Sequence, residues 1–193
     1  MRVVKNALLS RVGRADYKRW TSLENLETWW DERTIELARL VPAGSRVLEF
    51  GAGRRQLQRY LPAGCQYIPS DLVDRGPGTV ILDLNQRPLP DLAQLRPDVA
   101  VFGGVLEYVR DLNGVLIWLA NSGATACVAS FDAVPRGLGR LGRYAEMKRR
   151  CYNGYMSHFT EEQLLRSFEA AAFKCNERLT WTNQLILQFL RRQ

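Results

Sequence analysis

The chain has 193 residues, of which 46% are hydrophobic and 24% are charged, and its formal net charge is +7. This length suits one domain with a full buried core, and the composition is that of an ordinary globular protein. No apolar run approaches the roughly 18 residues that cross a bilayer, no secretory apolar region is visible, and one histidine with four scattered cysteines makes a metal site improbable. We therefore expect no membrane span, no metal and a location in the cytoplasm.

The first 45 residues are expected to form a helical cap. Residues 1–20 carry short apolar clusters between basic side chains, which is compatible with an amphipathic helix. A second helix is predicted to begin at Thr21, where Thr21 and Glu24 have the spacing of a capping box, and to end at Pro42. This helix has an apolar stripe that favours packing against a sheet, and the alternative is that the helix covers a bound ligand. The stripe consists of Leu26, Trp30, Leu37, Leu40 and Val41.

The stretch that follows has the pattern of a strand, a turn and a helix. Val47–Phe50 is a short apolar run that predicts a buried strand, and Gly51-Ala52-Gly53 predicts a sharp turn. In the segment 54–61 that follows, apolar residues recur at helical spacing, which predicts a helix. Glycine lets the backbone turn and lets a ligand approach closely, while the helix behind it points free N–H groups at the same place. A nucleotide site is therefore expected at this turn.

Six more apolar runs predict the rest of a seven-stranded sheet, at residues 65–70, 79–82, 97–102, 124–131, 175–182 and 185–190. The runs at 97–102 and 124–131 are apolar throughout, which is typical of buried parallel strands. The last two flank Thr182-Asn183-Gln184 and predict an antiparallel hairpin. A helix is predicted at 112–120, and Thr160 with Gln163 predicts a capping box for another.

Several motifs resemble those of class I S-adenosylmethionine-dependent methyltransferases. Glu49-x-Gly51-x-Gly53 is similar to their first motif, whereas Gln56 stands where a dinucleotide fingerprint needs a third glycine. Asp71 lies 18 residues after Gly53, near the spacing at which such a unit brings a carboxylate to a ribose, although a turn role is the alternative. The segments that begin at Asp83 and at Gly103 also resemble the family, and the resemblance covers residues 46–190.

The resemblance implies an α/β three-layer sandwich, with a mostly parallel seven-stranded sheet and an antiparallel last strand. It implies S-adenosylmethionine as the cofactor and methyl transfer as the activity. Asp83 matches the family's contact to the adenine amino group, with a turn cap as the alternative, and Gly103 matches backbone beside the methionine part. The implied cofactor-binding residues are Glu49, Gly51, Ala52, Gly53, Asp71, Leu72, Asp83, Leu84, Gly103 and Gly104.

The acceptor side is predicted from charge and position. Residues 135–193 hold 11 basic and 5 acidic side chains, and the basic segment 135–157 is expected either to be a solvated helix or to cover the site. In the second case Arg136, Arg140 and Arg143 would favour an anionic small-molecule or carrier-linked acceptor. The weak candidates for catalysis are Tyr108, Asp132, Tyr155 and His158.

We expect one domain with four parts: the cap 1–45, a cofactor-binding core 46–134, the basic segment 135–157, and a helix with a hairpin in 158–193. Two other functions stay open. One is a nicotinamide-dependent reductase, which Gln56 and the closing hairpin disfavour. The other is a non-catalytic protein that binds nucleotide or nucleic acid on the same scaffold, and no aromatic-rich recognition motif supports nucleic acid.

Overall fold

A computed structural model describes residues 3–6 and 17–192 of the chain. It contains a seven-stranded sheet in the order β3-β2-β1-β4-β5-β7-β6. The strands are β1 Arg46–Phe50, β2 Gln66–Asp71, β3 Val80–Ile81, β4 Val99–Phe102, β5 Ala126–Phe131, β6 Phe173–Trp181 and β7 Gln184–Arg191. All seven predicted strands are present, with ends that differ from the prediction by at most two residues.

Strand direction confirms the predicted mixed sheet. The five strands from β1 to β5 pair in parallel, and β7 pairs antiparallel with both β5 and β6. Every residue of β4 and β5 is buried, as the unbroken apolar runs predict. The carboxyl ends of β1 to β5 therefore meet at one edge, where ligands of open parallel sheets bind.

Pro69 lies inside β2 without breaking the sheet. The Asp71 carbonyl accepts from Leu82 N on the β3 side, and backbone groups alternate in direction along a strand, so Pro69 faces that side too. Pairing with β3 begins only at Ser70. The missing N–H of Pro69 therefore costs no bond between strands.

Helices cover both faces of the sheet. They are α1 Tyr17–Thr21, α2 Asp31–Arg39, α3 Leu57–Tyr60, α4 Leu112–Asn121, α5 Arg140–Asn153 and α6 Glu161–Ala170. One core joins α4 and α6 to the sheet face that contains Leu48 and Phe50. A second core joins α2 and α3 to the face that contains Val47. None of the helices in the described part of the chain is long and apolar enough to cross a membrane.

Two helix predictions need correction. Thr21 ends α1 and begins no helix, because residues 22–30 form two 3-10 turns, and arginine side chains from the domain bind the carbonyls of Thr21 and Leu23. The helix predicted within 54–61 is only the single turn α3, since Arg55 adopts φ +58° just before it. The basic segment 135–157, expected either to be a solvated helix or to cover the site, contains the 14-residue helix α5.

The carboxyl-terminal part agrees closely with the sequence. The Thr160 side chain accepts from Gln163 N, and the Gln163 side chain accepts from Thr160 N, which confirms the capping box of α6. Thr182 and Asn183 form a two-residue turn between β6 and β7. Ala172, just after α6, adopts the left-handed φ of +64° although it carries a Cβ atom. The turn after α6 is therefore kept without glycine.

Candidate active site

A cleft of about 450 Å³ opens at the carboxyl ends of the parallel strands. The ten residues predicted to bind a cofactor all line this cleft, although they come from the ends of four strands and the loops that follow them: Glu49, Gly51, Ala52, Gly53, Asp71, Leu72, Asp83, Leu84, Gly103 and Gly104. The topology explains their convergence, because each loop follows a parallel strand and those strands end at the same edge.

The glycine turn after β1 forms the floor of the cleft. Gly51 and Gly53 have φ of +67° and +50°, which L side chains rarely adopt. A Cβ atom on Gly51 would lie 2.5 Å from the Cγ2 atom of Val105. The Ala52 N–H donates to the Ser70 carbonyl at 2.9 Å, which fixes the turn against β2. Glycine is thus required at position 51 by both conformation and space.

Asp71, at the end of β2, connects three parts of the site. Its Oδ2 accepts from Gly53 N at 2.8 Å, and its Oδ1 accepts from Leu72 N at 2.7 Å. The buried Arg75 places its Nε 3.2 Å from Asp71 Oδ2. A carboxylate has about four lone-pair positions, so about two remain for a ligand after the two backbone hydrogen bonds.

Glu49 is a buried carboxyl group at the end of β1. The Tyr67 hydroxyl donates to Glu49 Oε2. Burial raises the pKa of Glu49 to about 8, although the Tyr67 hydrogen bond lowers it, because burial in a medium of low polarity disfavours the charged form. The same burial raises the pKa of Tyr67. A bound cation would favour the ionised form of Glu49.

Hydrogen bonds made by its own side chains stabilise the loop after β3 at the edge of the cleft. Asp83 Oδ1 accepts from Asn85 N at 2.9 Å, which is the turn cap that the sequence left open as an alternative. Asn85 then donates to the Tyr108 carbonyl at 2.8 Å and accepts from Arg110 N at 2.8 Å. The loops after β3 and β4 are therefore joined along one wall of the cleft.

Arg33 of α2 reaches the cleft beside the glycines that follow β4. Its guanidinium donates to the Gly103 carbonyl and to Gln184 Oε1, both at 3.2 Å, and forms no ion pair with a carboxylate among the described residues. A Cβ on Gly104 would lie 2.5 Å from Arg33 Nη1, so glycine provides the space for this side chain. Burial lowers the pKa of Arg33. The cleft thus contains a buried cation without an anionic partner.

Two buried carboxylates lie on the opposite wall. Asp132, just after β5, accepts two hydrogen bonds from Arg149, at 2.7 and 2.9 Å, and one from the Tyr155 hydroxyl at 3.2 Å. Glu107 Oε1 accepts from Asp132 N at 2.8 Å, whereas Glu107 Oε2 has no partner among the described residues. Burial raises the pKa of Glu107. The Asn183 side-chain amide donates a fourth hydrogen bond to Asp132, at 3.5 Å, so Asp132 is saturated and Glu107 is not.

The other predicted site residues divide between the cleft and the surface. Tyr108, Asp132 and Tyr155 line the cleft, but His158 lies outside it and accepts from Arg150 Nε at 3.1 Å. The predicted acceptor arginines also lie outside the cleft: Arg136, Arg140 and Arg143. The three side chains do not share one helical face, because Arg136 precedes α5, which begins at Arg140.

Some cleft residues were not among the predicted site residues. They are Trp20, Arg33, Arg75, Glu107 and Arg149. Two of them carried a signal. Arg33 interrupts an apolar stripe between Trp30 and Leu37, and Glu107 is a charge inside the apolar run 105–109. A charged side chain at such a position must be buried with a partner or face a ligand.

The glycine turn after β1, the acidic residue at the end of β2 and the antiparallel β7 define the class, a nucleotide-binding α/β domain with methyltransferase topology. The sequence matches the family model described as "Methyltransferase domain" over residues 22–177, most of its length, and the chain belongs to this family. The resemblance found in the sequence motifs is thereby confirmed. A search of curated proteins gives no match.

Solved structures of the same fold include small-molecule methyltransferases. The Burkholderia thailandensis 1,6-didemethyltoxoflavin N1-methyltransferase, with bound S-adenosylhomocysteine, has 18% identity, a TM-score of 0.66, and coverage of 99% of this chain and 88% of its own. CalO1 of calicheamicin biosynthesis has 18% identity, a TM-score of 0.61 and coverage of 88% and 56%. The mitomycin 7-O-methyltransferase MmcR has 14% identity, a TM-score of 0.64, and coverage of 99% of this chain and 68% of its own. This chain thus spans just over half the length of CalO1.

Proposed function

We propose that this protein transfers the methyl group of S-adenosylmethionine to a small-molecule acceptor. The observation that carries the proposal is the convergence of the ten residues from four strand ends and their loops in one cleft. When bound, S-adenosylmethionine supplies an electrophilic methyl group on a sulfonium. The task of the chain is to bind and orient the two reactants, which accounts for most of the rate of such a displacement.

The charges of the cleft fit this cofactor. Glu49 is a buried carboxyl without a cationic partner in ion-pair contact, and Arg33 is a buried guanidinium without an anionic one, among the described residues. Together they complement a zwitterionic amino-acid group, because each would stabilise the opposite charge in a site that excludes water. Asp71 is suited to accept from ribose hydroxyls, and Asp83 and Leu84, which line the same cleft, would contact the adenine.

The acceptor in this proposal is a small molecule and need not be anionic. Among the described residues the cleft is lined by five arginines and seven carboxylates, so it carries no excess of positive charge. The basic side chains that favoured an anionic acceptor lie outside the cleft. The neighbours that methylate small molecules support the size class of the acceptor rather than its identity.

Calorimetric titration tests the cofactor directly. We expect S-adenosylmethionine and S-adenosylhomocysteine to bind and NADH not to bind. A ligand at about 100 times its Kd should also raise the free energy of unfolding by about 2.7 kcal/mol. Binding of NADH alone would contradict the proposal. Mass spectrometry of small molecules from a cell extract, before and after incubation with protein and S-adenosylmethionine, then identifies the acceptor by its added methyl group.

A further inference from the structure

Four aromatic side chains from separate segments line the same part of the cleft: Trp20, Trp30, Tyr108 and Tyr155. The ring centroids of Trp20 and Tyr108 are 4.8 Å apart, and those of Tyr108 and Tyr155 are 5.3 Å apart, both edge to face. Trp20 and Trp30 lie 6.4 Å apart. Each contact between an aromatic ligand and such a wall stabilises the complex by about 0.5–1.5 kcal/mol more than the burial of apolar area alone. A ligand without an aromatic ring does not gain this energy.

Arginines near these rings argue against a cationic ligand. The guanidinium of Arg19 lies 4.3 Å from the Trp20 ring centre, and that of Arg33 lies 5.5 Å from the Trp30 ring centre. Arg150 lies 5.0 Å from the Tyr155 ring centre. These guanidinium groups already make cation–π contacts with the ring faces, and their positive charge would repel a positively charged acceptor. With the balanced charge of the cleft, they favour a neutral planar ring.

Glu107 adds a polar requirement beside the rings. It is 1% exposed and lines the cleft, and its Oε2 atom lacks a hydrogen-bond partner within the described part of the chain. Buried polar atoms are rarely left without partners, because the cost is about 1–3 kcal/mol. The neighbouring Asp132 cannot take the same role, since its two oxygens are occupied by Arg149 and Tyr155.

We propose that the methyl acceptor is a neutral planar aromatic compound that carries a hydroxyl or amino group. Its ring contacts Trp20 and Tyr108, and its polar group hydrogen-bonds with Glu107 Oε2. This inference rests on the proposed function, because it describes the second ligand of the same cleft. It also gives a role to the amino-terminal segment, which supplies Trp20 and Trp30.

Three probes of similar size separate the two requirements. Naphthol has the ring and the hydroxyl, methoxynaphthalene has the ring without the donor, and decahydronaphthol has the hydroxyl without the aromatic ring. Each is titrated by calorimetry into protein saturated with S-adenosylhomocysteine. We expect naphthol to bind about ten-fold more tightly than either of the others, which corresponds to about 1.4 kcal/mol.

Variants assign the preferences to residues. Trp20→Leu should remove most of the preference for naphthol over decahydronaphthol, and Glu107→Gln should reduce several-fold the preference over methoxynaphthalene. Gln is nearly isosteric and keeps an oxygen for Asp132 N, so folding should survive. Tyr144→Leu removes an aromatic ring from the exposed surface of α5 and should change neither preference, since Tyr144 is 71% exposed and outside the cleft.

The outcomes distinguish this inference from the function on which it rests. Binding of S-adenosylhomocysteine without binding of naphthol, or with equal affinity for naphthol and decahydronaphthol, overturns the aromatic acceptor alone. Failure of S-adenosylhomocysteine to bind overturns the proposed function, and the aromatic acceptor with it. Preferences that persist unchanged in Trp20→Leu and Glu107→Gln overturn the assignment of the contacts.

Discussion

At the residue scale, Glu49 couples the site to the stability of the protein. Its pKa rises from an ordinary 4.5 to about 8 on folding, mainly through burial. A group whose pKa is raised in the folded state contributes stability that is fully present below the lower value and is lost as the pH rises through the higher one. The ligand-free protein should therefore lose free energy of unfolding between pH 4.5 and about pH 8.

The variant Glu49→Gln isolates this effect, which matters because burial also raises the pKa of Glu107 and acts in the same direction. We expect urea denaturation to show a clearly smaller decline of stability with pH in Glu49→Gln than in the wild type. Tyr67→Phe, which removes the hydrogen bond that lowers the pKa of Glu49, should steepen the decline. Equal slopes in wild type and Glu49→Gln would contradict the assignment.

Ala172 gives a second prediction at this scale. It adopts φ +64°, its N–H donates to the Glu169 carbonyl, and its carbonyl accepts from Arg192 N at 2.8 Å. A left-handed conformation costs a residue with Cβ about 1–2 kcal/mol, partly offset by the greater freedom of glycine in the unfolded chain. Ala172→Gly should thus raise the free energy of unfolding by about 0.5–1 kcal/mol.

Thermal and urea unfolding measure the change, and Ala170→Gly is the matched control. Ala170 lies in α6 with ordinary helical geometry, so glycine there should destabilise the protein by about 0.5–1 kcal/mol. If both substitutions lower stability by the same amount, the backbone conformation at position 172 is not the cause of the difference.

At the element scale, the amino-terminal strap, residues 17–30, is attached to the cleft by side chains from the domain. Arg75 donates to the Thr21 carbonyl at 2.9 Å and to the Trp20 carbonyl, and its Nε lies 3.2 Å from Asp71. Hydrogen bonds to a charged group contribute about 1.5–3 kcal/mol each, so Arg75 is the main link between the strap and the cofactor loop.

We expect Arg75→Gln to speed hydrogen exchange in the strap while the exchange of β1, β4 and β5 stays unchanged. It should also weaken binding of S-adenosylhomocysteine, because Asp71 loses its charged neighbour. Arg59→Gln, on α3, provides a control for removal of a positive charge outside the cleft. Slow exchange of the strap in Arg75→Gln would show that other contacts hold it.

The sheet was predictable from sequence because its apolar runs are bounded by Gly, Pro and Asp. The helices were less so. The apolar stripe from Leu26 to Val41 fits a continuous helix, but Arg54 and Arg75 bind the carbonyls of Leu23 and Thr21 and favour short turns instead. No local pattern contains such contacts between distant segments.

The site residues also divide into those that local sequence patterns predict and those that depend on contacts between distant segments. The predicted residues at the ends of parallel strands line the cleft because the topology brings strand ends together. Arg33 and Trp20 enter it from helices that precede the sheet, and Arg149 enters from the interior of α5. Their positions depend on how helices pack over the strand ends, which the motifs do not encode. The basic composition of residues 135–193 pointed to the right helix, but the basic side chain of that helix that lines the cleft is Arg149.

At the scale of the whole molecule, the excess of positive charge and the cleft are separate. The segment that carries most of the excess forms α5, whose outer face contains the exposed Leu141 and Tyr144. Arg136 forms an exposed ion pair with Glu162, and Arg143 donates to the Leu138 carbonyl at 3.3 Å. Exposed ion pairs of this kind contribute about 0–1 kcal/mol and weaken with salt.

This separation gives the last prediction, in which Arg136, Arg140 and Arg143 are replaced together by Gln. The affinities for S-adenosylhomocysteine and for naphthol, at low and at high salt, should equal those of the wild type, because these side chains lie outside the cleft.

Arg149→Gln, which changes an arginine that lines the cleft, is the variant to compare with the triple variant. It removes both Arg149 hydrogen bonds from the buried Asp132 carboxylate, but the Arg149 side chain is 36% exposed, so we expect the cost to fall below the roughly 3–5 kcal/mol of a fully buried pair. We therefore expect Arg149→Gln to lower both stability and naphthol affinity. A triple variant with weakened, salt-dependent binding of naphthol would instead show that the basic face of α5 reaches the acceptor.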